Sequence, residues 1–130
     1  MGAFDTLNIG ASGASLSRTW IDAVAHNIAN VNTITPAGEE PFRSKLVIGA
    51  ARSNLHGVDV VAIEEAEGEA PMAYDPSHPY ANAEGYVTRP VVDLAGQMAD
   101  LIAAQRAYQA NLSVVRSGRE AYESAMRLGK

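Results

Sequence analysis

The sequence contains no cysteine, which excludes disulfide bonds and thiolate chemistry. It also lacks any run of about eighteen consecutive apolar residues, so it predicts no membrane-spanning helix. Aromatic residues make up only 6% of the chain although hydrophobic residues make up 47%. Alanine supplies much of the hydrophobic fraction, and this composition favours long, closely packed helices over a thick globular core.

Positive charge is scarce as well, since the formal net charge is −5. The acidic excess is concentrated between residues 31 and 90, and no basic stripe is present to neutralise phosphates. Binding to nucleic acid is therefore disfavoured. The first basic residue is Arg18, and no apolar segment typical of a signal peptide precedes it. We therefore expect no cleaved secretory signal.

Residues that could carry out chemistry are dispersed. His26, His56 and His78 lie in three different segments and form no metal-ligand pattern. Asp75 and Ser77 share one tight loop with His78, which is not the spatial arrangement of a catalytic triad. A glycine-rich phosphate loop is also absent. The sequence therefore predicts no enzyme, no metal site, no cofactor and no small-molecule substrate.

The last forty residues carry a continuous heptad pattern. No proline follows Pro90, and at about 1.5 Å per residue such a helix extends roughly 55 Å. A helix of this length needs a long partner, either in this chain or in a neighbouring one. The positions that alternate in steps of four and three are Leu94, Met98, Leu101, Gln105, Tyr108, Leu112, Val115, Arg119, Tyr122 and Met126.

Residues 3–32 repeat the same rhythm near the other end of the chain. A second apolar stripe lies beside the heptad positions and contains Trp20, so this helix should have more than one neighbour. The second stripe consists of Ile9, Leu16, Trp20 and Val24. The heptad positions are Leu7, Ala11, Ala14, Arg18, Ile21, Ala25, Ile28 and Asn32.

Two asparagines near the end of this first helix admit two interpretations. Asn27 and Asn30 lie three residues apart and therefore share a helix face. They either form a polar helix end with turn-forming residues, or they bond across a packed interface and fix its register. Chemistry alone favours the polar helix end.

The middle of the chain has a different character and predicts a small β-rich insert. We expect strands at residues 42–48 and 58–63 and a short strand within residues 86–92. The predicted organisation is a helix at residues 1–33, the insert at 34–90 and a helix at 91–130. The predicted fold is mainly α, with the two helices packed as a coiled-coil-like bundle. An ordered, irregular loop within the insert contains Tyr74, Asp75, Pro76, His78, Pro79, Gly85 and Tyr86.

Three stretches together resemble one family. ASGAS at residues 11–15 and AHNIANVNT at residues 25–33 are similar to the N-terminal signature of rod, hook and hook-associated proteins of the bacterial flagellum. QRAYQAN at residues 105–111 is similar to the C-terminal signature. YDPSHP at residues 74–79 and AEGYV at residues 83–87 resemble the proximal-rod members. His26 departs from the pattern, because the family often has asparagine there.

The resemblance implies a structural subunit that leaves the cytoplasm through the flagellar type III export apparatus. Such subunits assemble helically with copies of themselves and with neighbouring rod proteins, in the basal body across the periplasmic space. Their terminal helices pack into an inner tube and the insert lies outside. The resemblance also favours the interface role for Asn27 and Asn30, and it adds Asn111 to the expected packing residues. Another axial protein, such as a sister rod subunit, and a cytoplasmic coiled-coil adaptor remain alternatives.

Overall fold

The computed structural model describes residues 3–36, 38–53 and 56–129. Its elements in chain order are α1 (Ala3–Ala29), β1 (Lys45–Ala51), β2 (Val58–Glu65), β3 (Met72–Tyr74), β4 (Tyr86–Thr88) and α2 (Leu94–Leu128). The two long helices pack against each other, and the four short strands form two separate hairpins. The prediction of a mainly helical fold with a small β insert is confirmed.

Helix α1 ends at Ala29, a few residues before the predicted end. Its last carbonyl groups are taken up by a series of tight turns, in which the amide of Asn30 donates to the carbonyls of His26 and Asn27, and the amide of Val31 to that of Ile28. Such turns occupy the carbonyl groups that the end of a helix leaves without partners. The polar segment after residue 27 therefore terminates the helix rather than extending it.

Helix α2 begins at Leu94 and not at residue 91, because Asp93 caps it. Oδ1 of Asp93 accepts a 3.2 Å hydrogen bond from the amide of Ala95, and the Asp93 backbone is extended. An N-cap aspartate satisfies an amide that would otherwise lack a partner. The helix runs for 35 residues without interruption.

Strands β1 and β2 form an antiparallel hairpin that packs on α1. The first strand begins at Lys45 and not at residue 42, and a bulge lies between Ile48 and Gly49. Segment 42–44 was predicted to begin this strand, but it instead runs alongside Val91, just before α2. There, the amide of Val91 donates to the carbonyl of Phe42, and that of Ser44 donates to the carbonyl of Val91.

Strands β3 and β4 form the second hairpin, which encloses the irregular loop. The sequence analysis did not predict β3, which is only three residues long. The predicted last strand stops at Thr88, because Pro90 and the cap of α2 follow. An isolated bridge from Thr35 to Thr88 joins this hairpin to the segment that leaves α1.

The buried core is thin. Among the described residues, the largest side chains that are fully buried are those of Val24, Val87, Asn27 and Ser17. Many large apolar side chains instead remain exposed on α2 and on the first hairpin. Since monomeric proteins rarely leave extended apolar surface in water, this distribution is typical of a subunit that partners cover.

Candidate subunit-packing surface

The two helices run antiparallel and approach each other closely where α1 has glycine. A Cβ atom at Gly10 would lie 2.9 Å from Cγ2 of Val115, and one at Gly118 would lie 3.2 Å from Cδ2 of Leu7. A side chain at Gly10 would therefore force its neighbours on α2 to move, whereas one at Gly118 would require only a small shift of the Leu7 side chain. Beyond them, the rings of Phe4 and Tyr122 pack with centroids 5.1 Å apart.

Eight of the eighteen predicted heptad positions lie on the contact between the two helices. On α1 these alternate with Gly10, Ser17 and Val24, which are buried, and on α2 with Gln97, Ala104 and Gly118, also buried. The predicted positions that are buried or half-buried here are Leu7, Ala14, Ile21, Ile28, Leu101, Tyr108, Val115 and Tyr122. The inner contact therefore has the predicted heptad spacing but uses a partly different set of residues.

The remaining predicted positions are exposed in a single copy. Most of them directly follow one of the buried residues of the inner contact. Met98 is 48% exposed and Leu112 is 42% exposed. One residue corresponds to about 100° around a helix, so these side chains form a flank beside the inner contact. The exposed predicted positions are Ala11, Arg18, Ala25, Asn32, Leu94, Met98, Gln105, Leu112, Arg119 and Met126.

Asn27 joins three elements inside the chain. Its side chain is completely buried. Nδ2 donates to Oε1 of Gln97 at 2.7 Å and to the carbonyl of Lys45 at 2.9 Å, while Oδ1 accepts from the Lys45 amide at 2.8 Å. The side-chain amide therefore pairs with the edge of β1 as the backbone of another strand would. Its hydrogen bond to Gln97 also connects that edge to the start of α2. Its polar groups are used across an interface, but that interface lies within one copy.

Asn30 is used locally instead. Its Nδ2 donates to the carbonyl of His26 at 2.9 Å, and its Oδ1 accepts from Oγ1 of Thr33 at 3.1 Å. Asn32 follows in the turn and is exposed. In one copy, Asn30 therefore stabilises the helix end, and a role between copies stays a prediction for both residues.

Two further expected residues occupy separate places. Trp20 is half-buried and, with Leu16, lines an apolar cleft between α1 and the first hairpin. Leu16 and Trp20 of the second apolar stripe thus meet the hairpin. Asn111 lies on the inner contact, where a Cβ atom added to Gly13 would collide with its side chain. Its Nδ2 donates to the carbonyl of Ala107 at 2.9 Å.

The loop between β3 and β4 is held by its own hydrogen bonds. The amide of Asp75 donates to the carbonyl of Gly85 at 2.9 Å, and Oδ1 of Asn82 accepts from the amide of Tyr86 at 2.8 Å. Gly85 has a φ of 83°, and the rings of Tyr74 and Tyr86 meet edge to face above it at 5.3 Å.

The proline and histidine side of the same loop is also ordered. Nδ1 of His78 accepts from the amide of Tyr80 at 3.1 Å, and the two rings lie 5.4 Å apart. Pro76 and Pro79 are exposed, as are Tyr74 and Tyr80. The loop thus presents a preorganised surface of aromatic and proline side chains.

Two exposed ion pairs shift pKa values, one on the first hairpin and one on α2. Nε and Nη2 of Arg52 both donate to Oδ1 of Asp59, at 2.9 and 2.7 Å. This hydrogen bonding, helped by the opposite charge, lowers the pKa of Asp59 below its ordinary value and raises that of Arg52. On α2, Arg119 makes the corresponding contact with Glu123 at 2.8 Å, and its pKa is raised as well.

Within the described ranges, no three histidine, aspartate or glutamate side chains converge as a metal site would require. Neither helix, over the residues that the structure describes, is sufficiently apolar along its length to cross a membrane.

Comparison with known proteins identifies the family. The chain is 34% identical to the flagellar basal-body rod protein FlgC of Bacillus subtilis, with both proteins covered over 100% of their length. The chain belongs to the FlgC family of flagellar basal-body rod proteins. The FlgC of Borreliella burgdorferi is 33% identical with 97% of each chain covered, and that of Agrobacterium fabrum is 35% identical over 94% of this chain and 91% of the relative.

The C-terminal region carries a second match. Residues 83–128 match the model described as flagellar basal body rod FlgEFG protein C-terminal, and this segment includes β4 and all of α2. A FlgC protein is a structural subunit of the flagellar basal-body rod, and its relatives here are structural rod proteins.

Sequence reasoning missed the residues that hold the FlgC chain together internally. Gln97 was not selected, although it is the buried partner of Asn27. Gly10 was not selected either, although it is a site of close approach between the helices. The available signal was the regular spacing of Gln97, Ala104 and Gly118 with Leu101, which is another heptad series on the same helix.

Proposed function

We propose that this chain is a subunit of the proximal rod and assembles helically through its two terminal helices. The observation that carries the proposal is the exposed apolar flank of α2, on which Leu94, Met98 and Leu112 are 45%, 48% and 42% exposed. Since α1 already covers the neighbouring side of α2, this flank needs a partner outside the chain. Packing side by side into a tube would bury it.

The remaining parts of the proposal follow from the family and agree with the chain's composition. The subunit is exported unfolded by the flagellar type III apparatus and then folds at the growing end of the rod. Its partners are other copies and neighbouring rod proteins, and its place is the basal body in the periplasmic space. Its role is mechanical, since it transmits torque as part of the drive shaft, and it has no catalytic function, cofactor or small-molecule substrate.

The insert lies on the outer side of the tube in this proposal. The loop with Tyr74, Pro76 and His78 then faces neighbouring rod proteins as a rigid surface, because its hydrogen bonds and ring contacts are complete within one copy. A rigid surface loses little conformational entropy on binding. This agrees with a loop that is specific to the proximal rod.

The test compares two substitutions at one position in a flagellated host that lacks its own copy of the gene. Met98→Asp places a charge on the proposed contact but leaves the inner contact of the helices unchanged. The chain should therefore fold and be exported, but it should be absent from detergent-extracted basal bodies. Met98→Leu keeps the apolar surface and should restore both incorporation and swimming.

A second variant separates folding from assembly. Leu101 lies on the inner contact and borders the exposed flank, so Leu101→Asp should abolish motility and also lower the stability of the purified chain. Basal bodies of normal composition from the Met98→Asp strain would refute the proposed role of the flank. Absence of the unmodified chain from extracted basal bodies would refute the proposed function altogether.

A further inference from the structure

The first hairpin is attached to α1 by polar contacts and a small apolar patch. Asn27 bonds to both backbone groups of Lys45, and the amide of Val58 donates to Oγ of Ser12 at 3.1 Å. The inner face of the hairpin fits α1 closely at Gly49, where any side chain would run into Leu16 of that helix. The hairpin is therefore fixed in position without using most of its aliphatic side chains.

Those aliphatic side chains are exposed. Leu46 pairs with Glu64 and Ile48 pairs with Ala62, so Leu46, Ile48 and Glu64 share the outer face of the hairpin. Leu46 is 46% exposed, and Val61 at the bulge is 60% exposed. Two strands alone are marginally stable in water, and an outward aliphatic face adds cost unless something covers it.

The exposed flank of α2 has matching properties. Its apolar members include Met98 and Leu112, and Arg116 lies about five turns after Met98 on the same side of the helix. Arg106 is exposed on the adjoining side. Over residues 94–116 the flank therefore combines aliphatic surface with positive charge, whereas the hairpin face combines aliphatic surface with the carboxylate of Glu64.

The two surfaces do not meet within one copy. The hairpin packs on α1, and among the elements that the structure describes neither β1 nor β2 contacts α2. The surfaces are also unlike each other, so a contact between them is heterologous. Contacts of this type generate open helical arrays when the rotation does not close a ring, whereas a two-fold contact would stop after a dimer.

We propose that the outer face of the β1–β2 hairpin docks on the Met98 flank of α2 in a second copy of this chain. The contact is head to tail, with Leu46 and Ile48 against the aliphatic side chains of the flank and Glu64 towards its arginines. Opposite charge on the two unlike surfaces favours this pairing over hairpin against hairpin, which would bring carboxylates together. The inference rests on the proposed function, because it requires copies that assemble side by side.

The absence of native cysteine allows a direct test by disulfide cross-linking. Two full-length variants, Ile48→Cys and Met98→Cys, are expressed singly and together in a flagellated host that lacks its own copy, and basal bodies are extracted under mild oxidation. Co-expression should give a cross-linked dimer of the two variants, and either variant alone should give none. Replacing Met98→Cys by Ser117→Cys, an exposed position elsewhere on α2, should remove the cross-link.

The outcomes separate this inference from the proposed function. If both variants are present in basal bodies but do not cross-link to each other, the head-to-tail contact is wrong while the rod assignment stands. A dimer formed by Ile48→Cys alone, or a cross-link from it to a different rod protein, would also overturn the choice of occupant. If neither variant nor the unmodified chain enters basal bodies, the proposed function itself fails.

Discussion

The side-chain amide of Asn27 donates a 2.7 Å hydrogen bond to Oε1 of Gln97, which lies 70 residues away in the sequence. The same side chain pairs with both backbone groups of Lys45. One buried amide therefore sets the relative positions of the end of α1, the start of β1 and the first turns of α2. Because polar groups in a low-dielectric interior are costly when unpaired, this contact favours one arrangement over others that bury similar apolar area.

The first prediction compares Asn27→Leu with Asn30→Leu. Loss of the Asn27 amide leaves Gln97 and both backbone groups of Lys45 without a partner, and each such group costs roughly 1–3 kcal/mol. We therefore expect Asn27→Leu to lower the free energy of unfolding by about 3 kcal/mol or more. Asn30 bonds only to its own helix end and to Thr33, so Asn30→Leu should cost less than about 1 kcal/mol.

Urea titration of the purified chain measures both values. Equal effects of the two substitutions would contradict the assignment of Asn27 to an internal contact. If Asn30→Leu leaves stability nearly unchanged yet prevents incorporation into basal bodies, the role of Asn30 lies between copies, as the resemblance to the flagellar family implies.

Heptad reasoning found both helices and their pairing, and the positions that it selected lie partly on the inner contact and partly on the flank that is exposed in one copy. The inner contact and the predicted heptad series share every second position, such as Leu7 and Leu101. The positions in between differ by one residue, so that on α1 the inner contact uses Gly10 and the predicted series uses Ala11. Which of the two seams faces the other helix depends on how closely the two backbones approach. The close approach at Gly10 is seen in the structure and cannot be read from the sequence. Composition favoured Ala11, because alanine has an apolar side chain and glycine has none.

Local signals were more informative than long-range ones. Pro90 limited the start of α2 to within a few residues, although the sequence analysis began the helix at residue 91 and did not use Asp93, the N-cap that sets its start at Leu94. The partners of Asn27 are not recognisable, because nothing near Asn27 in the sequence indicates Lys45 or Gln97. The contacts of a single buried amide depend on the complete fold.

The second prediction separates the inner seam from the outer flank on α1. Gly10→Val introduces atoms where a Cβ alone would lie 2.9 Å from Val115, so the helices must move apart. Overpacking of this kind typically costs about 1–3 kcal/mol. Ala11→Val adds bulk to an exposed neighbouring position and should change the free energy of unfolding by less than about 1 kcal/mol.

Chemical unfolding of the two purified variants distinguishes these effects, and the swimming of both strains adds a second readout. Ala11→Val should still impair motility, because Ala11 is exposed in one copy and belongs to the predicted packing set. A stable Gly10→Val chain with unchanged unfolding would show that the helices are not held at the described distance.

The third prediction concerns acid pH and the ion pair between Arg52 and Asp59. The hydrogen bonds from Arg52 lower the pKa of Asp59 in the folded chain below its unfolded value of about 3.9. A lowered pKa contributes stability that is present above the unfolded pKa and is lost as the pH falls through the folded pKa. The β1–β2 hairpin should therefore begin to lose this contribution as the pH falls below about 4, and should lose it fully only below the lowered pKa of Asp59 in the folded chain.

An NMR titration of the Asp59 carboxyl group measures this pKa directly. In the Arg52→Gln variant it should rise towards the ordinary aspartate value, whereas Arg119→Gln, which removes the corresponding contact on α2, should leave it unchanged. A titration of Asp59 that is the same with and without Arg52 would show that the pair does not form in solution.

The last prediction uses two glycines that share a backbone conformation but differ in their surroundings. Gly85 and Gly38 have φ values of 83° and 89°, and a side chain at either position is strained by about 1–2 kcal/mol. At Gly38 an added Cβ would meet nothing within 4 Å, whereas at Gly85 it would lie 2.9 Å from the Tyr74 ring and 3.1 Å from Cβ of Pro76. Gly85→Ala should therefore lower the thermal stability clearly more than Gly38→Ala does.

Gly85→Ala should also abolish the contact between the Tyr74 and Tyr86 rings, which NMR can detect through the proximity of their protons. In a flagellated host, Gly38→Ala should support swimming and Gly85→Ala should not, because the aromatic surface of the loop would lose its fixed shape. Equal stability of the two variants, with the ring contact retained, would show that the loop tolerates a side chain at Gly85 and that its shape does not depend on this close approach.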